Sequence, residues 1–93
     1  MILSFRDKDA ERIWNQLPVK RFPVSFQKII LRKLFMIARA HDLRDLRTPP
    51  SNRLEELTRD RKGQHSIRIN DQWRICFVWE EGNARDVEIV DYH

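Results

Sequence analysis

Asp91-Tyr92-His93 follows directly on a β-like run, Val87-Glu88-Ile89-Val90. An acid, a phenol and an imidazole are three of the side chains that move protons near neutral pH. Closing a strand in a small basic protein, the set suits metal-free acid–base chemistry on a phosphate backbone. A solvated, frayed terminus is the plainer reading of the same residues. Arg74 is the only charge within Trp73-Arg74-Ile75-Cys76-Phe77-Val78-Trp79. An unpaired charge inside a central strand is costly. Arg74 therefore either pairs with an acid such as Asp91 or Glu88, or lines a cleft that receives an anion. Arg68 is placed to share its face. Neighbouring strands lie about 4.8 Å apart, so adjacent antiparallel strands would bring Arg74 near the 91–93 group. Alternation puts Asp91 and His93 on one face and Tyr92 on the other, so convergence of all three needs a bend.

Such a cleft can cleave RNA. A base takes the ribose 2′-OH proton, the oxygen attacks the adjacent phosphorus, and an acid protonates the leaving 5′ oxygen. Arginines stabilise the charge that develops on the phosphate. The route requires a 2′-OH, which makes RNA the substrate and excludes DNA.

The elements that must position these groups are legible in outline. Ile2-Leu3-Ser4-Phe5 reads as an opening strand. Asp7 or Asp9 caps a first helix to about Leu17, with Ile13, Trp14 and Leu17 on one side. A second helix starts at Pro23 and Ser25, with Ser25 as its N-cap, and runs to about His41. Phe26, Ile30, Leu34 and Ile37 share its inner face, widened by Ile29, and Lys28, Arg32 and Arg39 form the opposite stripe. Phe35 falls within that stripe, so it packs under the following loop or meets a partner. Residues 42–53, with Pro49-Pro50-Ser51-Asn52, form an ordered loop. Leu54-Glu55-Glu56-Leu57 begins a strand, and Arg59-Asp60-Arg61-Lys62-Gly63 is a basic turn. Three strands follow: 65–69, with Ile67 and Ile69 on one face and Ser66 and Arg68 on the other, then 73–79, then 87–93. This order predicts one α+β domain over residues 1–93, with two N-terminal helices packed on a small antiparallel sheet.

Composition narrows the class. Residues 20–74 hold 14 basic and 6 acidic side chains, a balance of +8, against −4 for the remaining positions. This polarity, mostly arginine, suits a polyanionic partner as well as an ordinary solvated surface. Cys76 reads as a buried small hydrophobe, and His65 as a packing or sheet-edge residue. His41, His65 and His93 have no zinc-type spacing, so no metal or cofactor is expected. No apolar run reaches membrane-spanning length and no signal-peptide pattern opens the sequence, so the expected location is the cytoplasm, without a membrane partner.

The sequence resembles the HigB branch of the RelE/ParE toxin superfamily, the plasmid maintenance killer proteins of bacterial type II toxin–antitoxin systems. The resemblance runs through Leu43-Arg44-Asp45-Leu46, Pro49-Pro50-Ser51-Asn52-Arg53-Leu54-Glu55 and Arg61-Lys62-Gly63-Gln64-His65-Ser66-Ile67-Arg68-Ile69-Asn70. It continues through Gln72-Trp73-Arg74-Ile75-Cys76-Phe77 and closes on Val87 to His93. It implies a RelE-like, microbial-ribonuclease-type fold and an endoribonuclease that cuts mRNA on the translating ribosome, arresting growth. It implies neutralisation by a HigA-type helix-turn-helix antitoxin, and operator DNA bound only through that antitoxin. Arg74, Asp91, Tyr92 and His93 match the family's catalytic cleft, and Arg53, Arg59, Arg61, Lys62 and Arg68 are the implied RNA contacts. Some relatives place a histidine and a lysine before the basic turn. Here those positions are Glu55 and Thr58, so the proton-transfer set differs and Glu55 reads as a structural partner for an arginine. Two other readings remain open: a ParE-like toxin that binds gyrase without nuclease activity, and a non-catalytic basic RNA-binding module.

Overall fold

The Asp7 carboxylate accepts the Asp9 N–H at 2.9 Å and caps α1 (Lys8–Trp14), whose acidic first turn complements the helix dipole. These are coordinates of a computed structural model, which describes residues 1–92. Helix α1 ends three residues before Leu17, because Gln16 adopts a left-handed conformation at φ 59°. Leu17 is consequently exposed rather than packed beside Ile13.

Helix α2 (Val24–Arg39) starts two residues earlier than a Ser25 cap would allow. Pro23 takes the N-cap place, and its carbonyl accepts the N–H groups of Phe26 and Gln27, both at 3.0 Å. The Gln27 side chain then ties the preceding loop by donating to the carbonyls of Val19 and Phe22. The helix stops short of His41 because Ala40 turns to extended backbone. Ile30, Leu34 and Ile37 are buried as their spacing predicts, whereas Ile29 lies on the exposed side and does not widen the inner face. Phe35 is 46% exposed, and its ring meets Trp14 of α1 at 5.1 Å, which in turn meets Phe5 at 6.4 Å.

The loop after α2 contains two short 3-10 turns, Leu43–Arg47 and Pro50–Asn52. Asp42 and Asp45 form a reciprocal cap on the first. Both carboxyls are held below their ordinary range, mainly by the backbone N–H groups they accept.

Four antiparallel strands follow in spatial order: β1 (Glu55–Glu56), β2 (Gln64–Arg68), β3 (Trp73–Glu80) and β4 (Asn83–Asp91). The last strand begins four residues earlier than the sequence suggests. Glu81 and Gly82, both at positive φ, make the tight two-residue turn that permits this. One bulge interrupts the β3–β4 ladder, where Asp86, at φ 54°, and Val87 together face Phe77. The expected opening strand reduces to two isolated parallel bridges, Ile2 to Ala84 and Phe5 to Val87.

The sheet faces differ. Ile67, Ile69, Ile75, Phe77, Val87 and Ile89 join Ala10, Ile13, Ile30, Leu34 and Ile37 in the core. The opposite face carries Glu55, Ser66, Arg68, Arg74, Cys76 and Glu88, as the strand registers require. Two helices and a four-stranded antiparallel sheet thus make an α+β fold whose polar sheet face is left open for a site. Among the described residues no helix is long and apolar enough to cross a membrane.

Candidate active site

Arg74 sits in the middle strand of the open face, 8% exposed, and three neighbours account for its burial. Its Nε–H donates to Ser66 Oγ at 2.8 Å. Its Nη2 donates to the Arg53 carbonyl at 2.5 Å and to the Ser66 carbonyl at 3.3 Å. Glu55 supplies the nearby charge, at 3.6 Å. Nη1 makes no hydrogen bond among the described residues. The expected choice between an acid partner and a cleft is therefore resolved as both: Arg74 has an acid beside it and still lines an open cleft. The acid is not Glu88, because Glu88 is taken by Arg61 at 2.5 Å. It is Glu55 of β1, which the sequence comparison marked as a structural partner for an arginine without saying which one.

The cleft has a volume of about 320 Å3 and is lined by Arg53, Arg68, Asn70, Asp71, Arg74 and Tyr92. Arg68 is the direct cross-strand partner of Arg74, so two guanidinium stems stand side by side. Like charges placed so repel; Arg68 is balanced by an ion pair with Asp71, whose carboxylate is fully exposed at the cleft mouth. Tyr92 follows the end of β4, and the Arg74 guanidinium carbon stands 5.8 Å from its ring centre. This is within the range of a cation–π contact.

The remaining expected site residues are placed as follows. Asp91 ends β4 as the register partner of Trp73, and its carboxylate accepts the Gln72 side chain at 3.2 Å. Register puts it on the face opposite Arg74 and Val90. His93 lies outside the described residues. Arg53 contributes both its exposed side chain and its inward carbonyl. Arg61 is engaged with Glu88 and Gln64, and the ion pair raises its already high pKa. Arg59 and Lys62 are exposed on the 59–62 turn and do not line the cleft.

Several contributors were not foreseen as site residues. Ser66 was legible as a polar position beside Arg68, but its buried hydroxyl is fixed by Arg74. Asn52 is fully buried behind Arg53: its amide donates to the Leu46 and Thr48 carbonyls and accepts from Lys33 Nζ at 2.6 Å. Burial, then Arg32 and Arg68, lower the Lys33 pKa. Cys76 is buried as expected, and burial pushes its thiol up to about 11. It is unsuited to act as a nucleophile at neutral pH. His65 stacks on Phe77 at 6.4 Å, which is a packing role.

Comparison with known proteins identifies the family and the fold. Residues 3–93 match the HigB-like toxin family, described as RelE-like toxins of the type II toxin–antitoxin system HigB. The chain is 40% identical over 85 residues to Toxin HigB-1 of Vibrio cholerae, covering 90% of each protein. It is 34% identical over 84 residues to an uncharacterized Haemophilus influenzae protein, covering 89% of this chain and 83% of that one. In fold it is similar to YafQ from Escherichia coli, with a TM-score of 0.60 at 11% identity, over 98% of this chain and 91% of that one. It is similarly close to a chain of the YoeB–YefM toxin–antitoxin heterotetramer from Staphylococcus aureus, with a TM-score of 0.59 at 15% identity, over 100% and 95% of the two chains. With a family match across nearly its whole length, the chain belongs to the RelE-like HigB toxins of type II toxin–antitoxin systems.

Proposed function

We propose that this toxin is an endoribonuclease that cuts mRNA on the translating ribosome and so arrests growth, using acid–base chemistry without a metal. The observation that carries this reading is Arg74: a nearly buried guanidinium, fixed by Ser66 and the Arg53 carbonyl, that still lines an open cleft with Arg53, Arg68 and Tyr92. Fixed cations of this kind stabilise charge as it builds on a phosphate in the transition state. The scissile phosphate would lie between Arg74 and Arg68. One of the groups at 91–93 takes the 2′-OH proton, the 2′ oxygen bonds to phosphorus, and another returns a proton to the departing 5′ oxygen. The products are a 2′,3′-cyclic phosphate and a 5′-OH. Asp91 and His93 are the base and acid candidates, Asp91 only through a bend of the strand end that carries its carboxylate from the opposite face to the side of Arg74; Tyr92 stacks on the ribose or base and orients the phosphate against Arg74. Arg53, Arg59, Lys62 and, more weakly, Arg61 hold flanking RNA or ribosomal RNA.

In the cytoplasm the natural partner is a HigA-type helix-turn-helix antitoxin, which silences the toxin and bridges it to operator DNA. The test is mapping of mRNA 5′ ends after brief expression. Wild type should produce new ends within translated frames only, and Arg74→Ala and His93→Gln should not. New ends at full frequency in both variants, or DNA damage with intact mRNA, would overturn the reading.

A further inference from the structure

We propose that Lys33 and Asn52 form a relay from α2 that sets the position of the Arg74 guanidinium, which makes Lys33 a positioning residue for the reaction; the proposal rests on the nuclease reading above. The Lys33 ammonium donates to Asn52 Oδ1 at 2.6 Å. Asn52 is fully buried, and its Nδ2 gathers the preceding loop through the Leu46 carbonyl at 3.2 Å and the Thr48 carbonyl at 3.4 Å. Lysine only donates, so it fixes which end of the amide is oxygen. Without it, Oδ1 becomes a buried acceptor and the amide loses its orientation.

Arg53 follows immediately, in the left-handed region at φ 43° and ψ 56°. A non-glycine residue persists there only where its surroundings over-determine it. On one side the Arg53 N–H is tied to the Pro50 carbonyl at 3.0 Å. On the other the Arg53 carbonyl receives Arg74 Nη2. Lys33, Asn52, Arg53 and Arg74 are thus linked in unbroken sequence, by two hydrogen bonds and one peptide bond. The ammonium is kept where burial, Arg32 and Arg68 all disfavour its charge. A solvated lysine on the outer helix face would have no reason to stay there.

The experiment compares Lys33→Met with Lys28→Met, which removes a charge from the exposed side of the same helix. Two readouts are taken at a temperature where each variant is folded. The first is the Arg74 Nε–H resonance in 15N-labelled protein. The second is cleavage of mRNA on programmed ribosomes. In Lys33→Met the resonance should shift or broaden, and kcat should fall about tenfold with KM moved by less than roughly threefold, as expected for misplacement of a transition-state group. Lys28→Met should leave the resonance in place. An unmoved resonance in Lys33→Met, or an equal change in Lys28→Met, would overturn the relay. If Lys33→Met does not fold, Lys33→Gln, which keeps a donor but shortens its reach, is held to the same criterion. A wild type that cuts no RNA would sink the nuclease reading alone, because the resonance comparison still decides the relay.

Discussion

The carbonyl of Arg53 and the guanidinium of Arg74 meet at 2.5 Å, joining a left-handed loop residue to the centre of the sheet. The contact orients a cation that is otherwise costly to bury, and it leaves part of that cation to the cleft.

Replacing Arg74 separates its two roles. Arg74→Lys keeps the charge but cannot serve Ser66 Oγ and two carbonyls at once. Single-turnover cleavage should fall about 100-fold. Arg74→Met should add a stability loss of about 1–3 kcal/mol, since buried carbonyls lose their donors. Rapid-quench cleavage and chemical denaturation measure the two effects.

Asp71 occupies Arg68 at the cleft mouth. On the proposed nuclease reading, an RNA phosphate would have to displace it. Asp71→Asn should tighten binding of a non-cleavable 2′-O-methyl RNA by roughly threefold to tenfold and steepen its salt dependence by about one unit of slope. A salt titration of affinity that is indistinguishable from wild type would place the phosphate elsewhere.

The basic turn should not act uniformly. Arg61 is committed to Glu88, whereas Lys62 is exposed. Arg61→Met should cost about 1 kcal/mol of stability, as for a partly buried ion pair. Lys62→Met should leave stability within about 0.5 kcal/mol and weaken RNA binding. Melting curves and binding isotherms of the pair give the contrast.

Asn52→Ala removes the buried amide that serves two carbonyls and Lys33. Its cost should be about 2–4 kcal/mol, at the upper end for a single hydrogen-bonding residue. Urea denaturation at 25 °C would show it as a lower midpoint with an unchanged slope.

Cys76 gives a pH prediction. Its folded pKa, about 11, lies above the reference value of 9.0 because burial disfavours the thiolate. The folded state therefore binds more protons than the unfolded state between these values. The contribution is fully present below pH 9.0 and is lost as pH rises through about 11. Up to about 2–3 kcal/mol should disappear across this window. The depressed Lys33 pKa acts with the opposite sign, its penalty easing toward 10.5. Comparing Cys76→Val with wild type isolates the thiol; equal alkaline losses in both would refute it.

Alternation made β2 readable through Ile67 and Ile69, whereas β3 was readable as a run apolar on both faces, as a central strand is. Helix α2 was readable from Ile30, Leu34 and Ile37, but its start was not: Pro23 accepts the first N–H groups with its backbone, leaving Ser25 without the expected task. Arg74 stood out as a charge in an apolar run. Glu55 read as the partner of an arginine, but not of Arg74 in particular, because it reaches Arg74 through a two-residue strand across β2. Asn52 was hidden for a similar reason. Its partner Lys33 lies 19 positions away on α2, beyond the reach of any local pattern.

The grip on Arg74 at position 53 belongs to the peptide group and not to the side chain. On the nuclease reading, mutation can therefore rewrite the amino acid there, provided the replacement tolerates the left-handed turn, and would retune which messages are held without loosening the hand that cuts. Asparagine and glycine, which accept that backbone most readily, mark the cheapest route from one target preference to another.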